Sequence, residues 1–177
     1  MKRLIWITMV CLIAPMAALA QDSAANPLTE TLRRTLDRYS KNLVAAAEEM
    51  PADKYGYQPT KEEMTFGKTI AHIAEVNNFA CAKVSEMPAP AEPKITEADP
   101  KEKLVAGLKA SMDYCTQAFS KLTDAKLTET ISFFGGRPAT RLAAAMEVTN
   151  DLVDHYAGLS VYLRLNGLLP PTAQKKQ

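Results

Sequence analysis

The sequence predicts an all-α domain, a four-helix bundle with a long crossover between its second and third helices and a short extended segment before the last. Three observations predict it. Apolar residues recur at spacings of three and four along four separate stretches. Beyond the first twenty residues, every proline falls at the start of one of those stretches, between them or after the last. Strand-like composition is confined to one short run, Glu129–Phe134, followed by Gly135-Gly136.

Residues 1–20 read as an address rather than as part of the fold. Lys2 and Arg3 precede an apolar run from Leu4 to Ala14, and Ala18-Leu19-Ala20 is a small-x-small cleavage site before Gln21. Cys11 lies inside the apolar run, too early to be a lipidated cysteine. The expectation is a cleaved signal peptide and a periplasmic or secreted protein, with the bundle over 21–169 and a flexible tail over 170–177. No later apolar run is long enough to span a bilayer, so no stable membrane span is expected after cleavage. Removing Lys2 and Arg3 from the 21 basic residues leaves 19 against 20 acidic ones. A chain this close to neutral gives no reason to expect nucleic acid as a partner.

The first helix is expected to start at Asn26-Pro27, a cap followed by a first-turn proline. Leu28, Leu32, Leu36, Tyr39, Leu43 and Ala46 form its apolar stripe, and it ends near Met50-Pro51. An ordered connector follows to Thr65, with Tyr55 and Tyr57 placed to plug the bundle end or to line a pocket mouth. The second helix, from about Thr65 to Ser85, carries Phe66, Ile70, Ile73, Ala80 and Val84 on one stripe, with His72 at the stripe's edge. Four prolines and several alanines make Glu86–Pro100 a long, mobile crossover, of the length that connects two helices running the same way. Asp99-Pro100-Lys101-Glu102 opens the third helix as cap, first-turn proline and third-position glutamate. Its face is Leu104, Leu108, Ser111, Met112, Cys115, Phe119 and Leu122. The last helix, about Thr140 to Asn166, is apolar over most of its circumference and is expected to be the most buried of the four. Asn166-Gly167 ends it.

Two cysteines remain beyond the address, Cys81 and Cys115. A disulfide suits an exported chain, while a pair of buried free thiols is the plainer alternative.

The chemistry concentrates in Asn150-Asp151-Leu152-Val153-Asp154-His155. Asp151 and His155 are one helical turn apart, and on a helical wheel they fall with Ala144, Val148, Leu159 and Tyr162 rather than with polar Glu147, Asn150 and Asp154. A carboxylate and an imidazole on an apolar flank call for a partner. The sequence holds only 2 histidines, so His72 is the remaining imidazole. Together His72, Asp151 and His155 make a donor set suited to Zn, Ni, Fe or Mn. A buried Asp–His hydrogen-bonded pair without metal is the equal alternative.

The chain resembles the DinB family, within the wider DinB/YfiT-like superfamily, over essentially the whole domain. The resemblance rests on Met50-Pro51-Ala52-Asp53-Lys54-Tyr55 with Gln58-Pro59-Thr60, on Thr65-Phe66-Gly67 leading to Ala71-His72-Ile73-Ala74, and on Asp154-His155-Tyr156-Ala157-Gly158 running on to Asn166-Gly167 and Pro170. It implies a divalent metal held by three histidines, one on the second helix and two, four residues apart, on the last. His72 matches the first and His155 the third. Asp151 stands where the family usually carries histidine, and Tyr156 and Gly158 replace its Arg and Gln. The functions implied are a metal-dependent transferase or hydrolase, with Glu75, Asp154 or Tyr162 as assisting groups. The alternatives are a non-catalytic module binding a metal or small molecule and a degenerate, metal-free bundle, and a homodimer is compatible with any of them.

Overall fold

The computed structural model describes residues 26–91 and 94–175, so the signal peptide expected over 1–20 lies outside the described residues. Four helices make the body: α1 (Pro27–Glu49), α2 (Phe66–Ser85), α3 (Lys101–Ser120) and α4 (Arg141–Leu165). The strand-like run forms a small hairpin, β1 (Thr130–Ser132) antiparallel to β2 (Pro138–Thr140), with Ile131 opposite Ala139.

The packed pairs are α2–α3, α1–α4, α1–α3 and α2–α4, which places α1 and α2 on one diagonal and α3 and α4 on the other. Side-chain contacts fix the directions. Arg33 near the start of α1 donates to the carbonyls of Phe119 and Leu122 at the end of α3, while Lys101 at the start of α3 reaches the Glu48 carbonyl, so these helices run antiparallel. Gly67 lies against Leu104, and Cys81 is joined to Cys115, so α2 and α3 run parallel. Arg141 at the start of α4 holds the end of α2, and Tyr162 near its end donates to the Met64 carbonyl just ahead of α2, so α2 and α4 are antiparallel. The long crossover therefore does connect two helices of the same direction. Leu36, Leu43, Phe66, Ile70, Ile73, Leu104, Leu108, Phe119, Leu152 and Leu163 fill the centre, all at or near full burial. Each comes from a stripe repeating at three and four, because only that spacing keeps side chains on one face of a helix.

The helix ends depart from the sequence reading in two places. Asn26 does not cap α1 with its side chain. Asp124, after α3, reaches across instead: its carboxylate accepts from Leu28 N at 3.0 Å, Thr29 N at 2.8 Å and Thr29 Oγ1 at 2.9 Å, while Asn26 Oδ1 accepts from Asp124 N. A carboxylate from a remote segment thus satisfies the free amides of the first turn and ties the bundle end together. Asp99 does not cap α3 either. It accepts from Thr96 N at 2.8 Å and pairs with Lys103 Nζ at 2.7 Å, closing the turn before the helix. Thr65 and Thr140 do cap α2 and α4, accepting from Lys68 N and Ala143 N.

Three further differences concern burial. The last helix is not the most buried: α2 buries 11 of its 20 residues and α4 11 of its 25, with Met146, Val161 and Leu165 exposed on α4. The crossover read as mobile is held down at three points. Tyr114 OH donates to the Pro88 carbonyl, Lys94 pairs with Glu75 at 2.7 Å, and Ile95 sits where a Cβ on Gly107 would come within 2.7 Å of its Cδ1. The tail from 170 also packs back, with Thr172 bonded to the Tyr156 hydroxyl and Gln174 to Glu49. Tyr55 plugs the bundle end, its hydroxyl donating to the Ala47 carbonyl at 2.6 Å.

Arg141 is the least expected core residue. It is 2% exposed; one terminal nitrogen donates to the Val84 carbonyl, and the other meets Glu129 at 2.7 Å and Glu86 at 3.1 Å. A buried guanidinium is tolerated because those partners compensate its charge, and it pins the hairpin base to the end of α2.

The bridge between Cys81 and Cys115 closes a segment separated by 34 residues. Constraining the unfolded chain over that loop stabilises the fold by about 3–4 kcal/mol. Replacing both cysteines by alanine is therefore expected to lower the unfolding free energy in urea by about that amount. An unchanged midpoint would show that the bridge contributes nothing.

Candidate metal centre

His72 on α2 and His155 on α4 meet across the antiparallel pair. Their ring centroids lie 5.3 Å apart in an edge-to-face arrangement, at an interplanar angle of 72°. Asp151, one turn before His155 on α4, places Oδ2 3.5 Å from His155 Nε2. Four-residue spacing on one helix sets that second distance, and the packing of α2 against α4 sets the first. Ala144, Val148, Leu159 and Tyr162 are buried as the wheel reading has them, but Asp151 lies at the edge of that flank, in one surface depression with exposed Glu147, Asn150 and Asp154.

The His155 side chain is 14% exposed and that of Asp151 36%. Burial pushes the His155 imidazole below its ordinary 6.5; the Asp151 carboxylate pulls the other way, and the His72 ring lowers it further. His155 is thus held as the neutral base, the form that can ligate a metal. Neither His72 nor Asp151 makes a side-chain hydrogen bond to any described residue; Asp151 meets His155 only at the 3.5 Å ion-pair distance. Two imidazoles and a carboxylate, with His72 otherwise unpartnered, fit a divalent transition metal in kind. In position they are less complete: among the described residues, no three His, Cys, Asp or Glu side chains are gathered as a metal-holding group.

A cavity of about 320 Å³ opens beside His72 and Asp151, with Val76, Asn77, Phe134 and Arg137 also in its lining; His155 is not among the residues that line it. Sequence reasoning missed the part of the lining that the hairpin supplies. Phe134 and Arg137 come from the hairpin turn, and nothing in their local sequence announces that the hairpin folds over α2 and α4. Asn77 was legible in principle, as a polar residue five positions after His72 in an apolar helix. It is 1% exposed and donates to Ser111 Oγ at 3.2 Å.

The three residues considered as assistants are engaged elsewhere or face solvent. Glu75 pairs with Lys94, whose hydrogen bond and charge hold its carboxyl below the usual range. Tyr162 OH donates to the Met64 carbonyl at 2.8 Å, and Asp154 is exposed. Tyr156, where the family resemblance leads one to expect arginine, is buried against Tyr39 and bonded to Thr172 in the tail.

A model of the DinB superfamily matches residues 35–158. The chain belongs to the DinB superfamily. Two DinB-like crystal structures share the fold of this DinB-superfamily chain. One, from Bacillus subtilis, has a TM-score of 0.65 at 21% identity, over 82% of this chain and 99% of its own. The other, from Bacillus cereus, has a TM-score of 0.64 at 18% identity, over 80% and 95%. A point mutant of a mycothiol-dependent maleylpyruvate isomerase also superposes, with a TM-score of 0.61 at 12% identity, over 74% of this chain and 60% of the isomerase. No curated protein sequence matches the chain. Among the described residues no helix is long and apolar enough to cross a membrane.

The depressed His155 value carries a sign. As pH falls below 6.5, the unfolded chain takes up the proton before the folded one does, so metal-free protein loses stability. Urea midpoints of chelator-treated protein are expected to drop between about pH 7 and pH 5, and His155→Asn to flatten that slope. A slope unaffected by the substitution would assign it to other groups.

Proposed function

We propose that this DinB-superfamily protein is an exported metalloprotein, with His72, Asp151 and His155 holding a divalent cation at the α2–α4 cavity, and that it acts as a metal-dependent transferase or hydrolase. The observation that carries the reading is the His72–His155 contact. Two helices far apart in sequence bring the chain's only 2 histidines ring against ring, and His72 finds no hydrogen-bond partner there. The similar isomerase is described as mycothiol-dependent, which supports chemistry on a thiol in this fold. A divalent cation at such a site supplies Lewis acidity that makes a bound thiol or water a better nucleophile. The chain's own contributions are the neutral His155, a carboxylate that lowers the site's net charge, and apolar side chains of Val76, Val148 and Phe134 in the cavity lining. Asp151 in place of a third imidazole shifts preference toward harder cations such as Mn or Fe.

Export rests on the basic and apolar N-terminus and on the buried bridge, since disulfides persist in oxidising compartments.

One observation favours a second reading, in which the site is metal-free. Asp151 and His155 are already at ion-pair distance, as a structural pair would be. Elemental analysis of protein purified without a polyhistidine tag separates the two. The metal reading expects close to one equivalent of metal, falling at least tenfold in occupancy in His72→Ala and His155→Ala at micromolar metal. Sub-stoichiometric metal indifferent to both substitutions leaves the structural pair.

A further inference from the structure

A second cavity, of about 900 Å³, lies between α2, α3 and the crossover that returns over them, and it shares no lining residue with the one beside His72. It follows from what the sequence puts on the two facing helices. Ala71 and Ala74 on α2, and Ala106, Gly107 and Ala110 on α3, recur at spacings of three and four, so small side chains face the groove from both sides. The crossover is fastened on either side of that space. Tyr114 OH donates to the Pro88 carbonyl at 3.0 Å; further along, Lys94 meets Glu75 at 2.7 Å and Ile95 takes up the room above Gly107. Ile95 fills its own end, and the cavity remains beside it.

The polar side chains of the lining are not equivalent. Two acidic ones, Glu75 and Asp113, balance two basic ones, Lys94 and Lys103, and all four are exposed, so nothing there selects a charged ligand. Tyr114 is committed to Pro88. Asn78 differs: it is partly buried, its Oδ1 is sealed from water, and its amide makes no hydrogen bond to any described residue. Folded chains leave few buried polar atoms without a partner. We propose that this cavity binds a neutral aromatic alcohol, with its rings on the alanine floor between Phe79 and Tyr114 and its hydroxyl on the Asn78 amide. The volume lies within the range of pockets that take small organic molecules and has room for more than a single ring. A floor of alanine and glycine carries no branched side chain and suits a planar body, to which the Phe79 and Tyr114 rings add aromatic contact. A hydroxyl both donates and accepts, so it serves the amide whichever of Oδ1 and Nδ2 faces it; an ether oxygen only accepts. The site owes nothing to the histidines, and it stands or falls apart from the metal reading.

The test uses 2-naphthol and 2-methoxynaphthalene, which share their rings and differ in whether the oxygen carries a hydrogen. Each is titrated into chelator-treated full chain, as wild type and as Asn78→Ala, with alanine and isoleucine methyl groups labelled for NMR. Both compounds are expected to shift the methyl signals of Ala71, Ala74, Ala110 and Ile95. Naphthol should bind wild type about fivefold more tightly than the ether, and that preference should vanish in Asn78→Ala. The comparison of the two compounds in wild type stands without the variant. Methyl signals that stay in place, or that move at Ala80 beside His72 instead, overturn the site. Equal affinities in wild type, or a preference that survives in Asn78→Ala, overturn the role of Asn78 and with it the class of ligand.

Discussion

The parallel pairing of α2 with α3 is the constraint on which the rest of the bundle depends. Two parallel helices cannot be joined by a short turn, so the chain must return along the bundle between Glu86 and Pro100. That return is long and poor in large apolar residues, and it offers little to hold the pair in register. The bridge between Cys81 and Cys115 supplies the register covalently, with Tyr114, Ile95 and Lys94 fastening the crossover over the pair. Once α2 is fixed on α3, its other flank faces α4, and His72 is delivered to His155.

Arg141 completes the arrangement from the opposite end. By holding the end of α2, the hairpin base and the start of α4 through one guanidinium, it sets where the hairpin lies over the α2–α4 seam. The site is therefore walled by three segments, α2, the hairpin and α4. None of them forms a pocket alone. The same logic explains the cap of α1, where Asp124 satisfies amides nearly a hundred residues away in sequence. Ends of elements in this bundle are finished by partners from elsewhere in the chain.

Much of this was legible in the residues, and what was not follows a pattern. Helix cores were readable because burial and periodicity are the same fact: Leu36, Ile73, Leu108 and Leu159 point inward for want of any other place to go. Asp151 and His155 were readable because i,i+4 neighbours on a helix must meet. The hairpin was readable from composition, but its position was not, so Phe134 and Arg137 went unseen as pocket walls. Caps at Asn26 and Asp99 misled because local hydrogen bonding was only one of the options open to these side chains; Asp124 caps the first helix instead, and the Asp99 carboxylate is taken up by Thr96 N and Lys103. Arg141 gave no sign at all, since its burial depends on Glu86 and Glu129 converging from other elements.

The central claim is that the meeting of His72, Asp151 and His155 is a metal site rather than a structural pair. Anomalous diffraction from crystals of tag-free protein, collected above and below the absorption edge of the metal found in it, tests this most directly. A single anomalous peak at about 2.0–2.2 Å from an imidazole nitrogen of each histidine and from an Asp151 oxygen is the result expected. Density showing Asp151 still set against His155, with no anomalous peak between the rings, would contradict it.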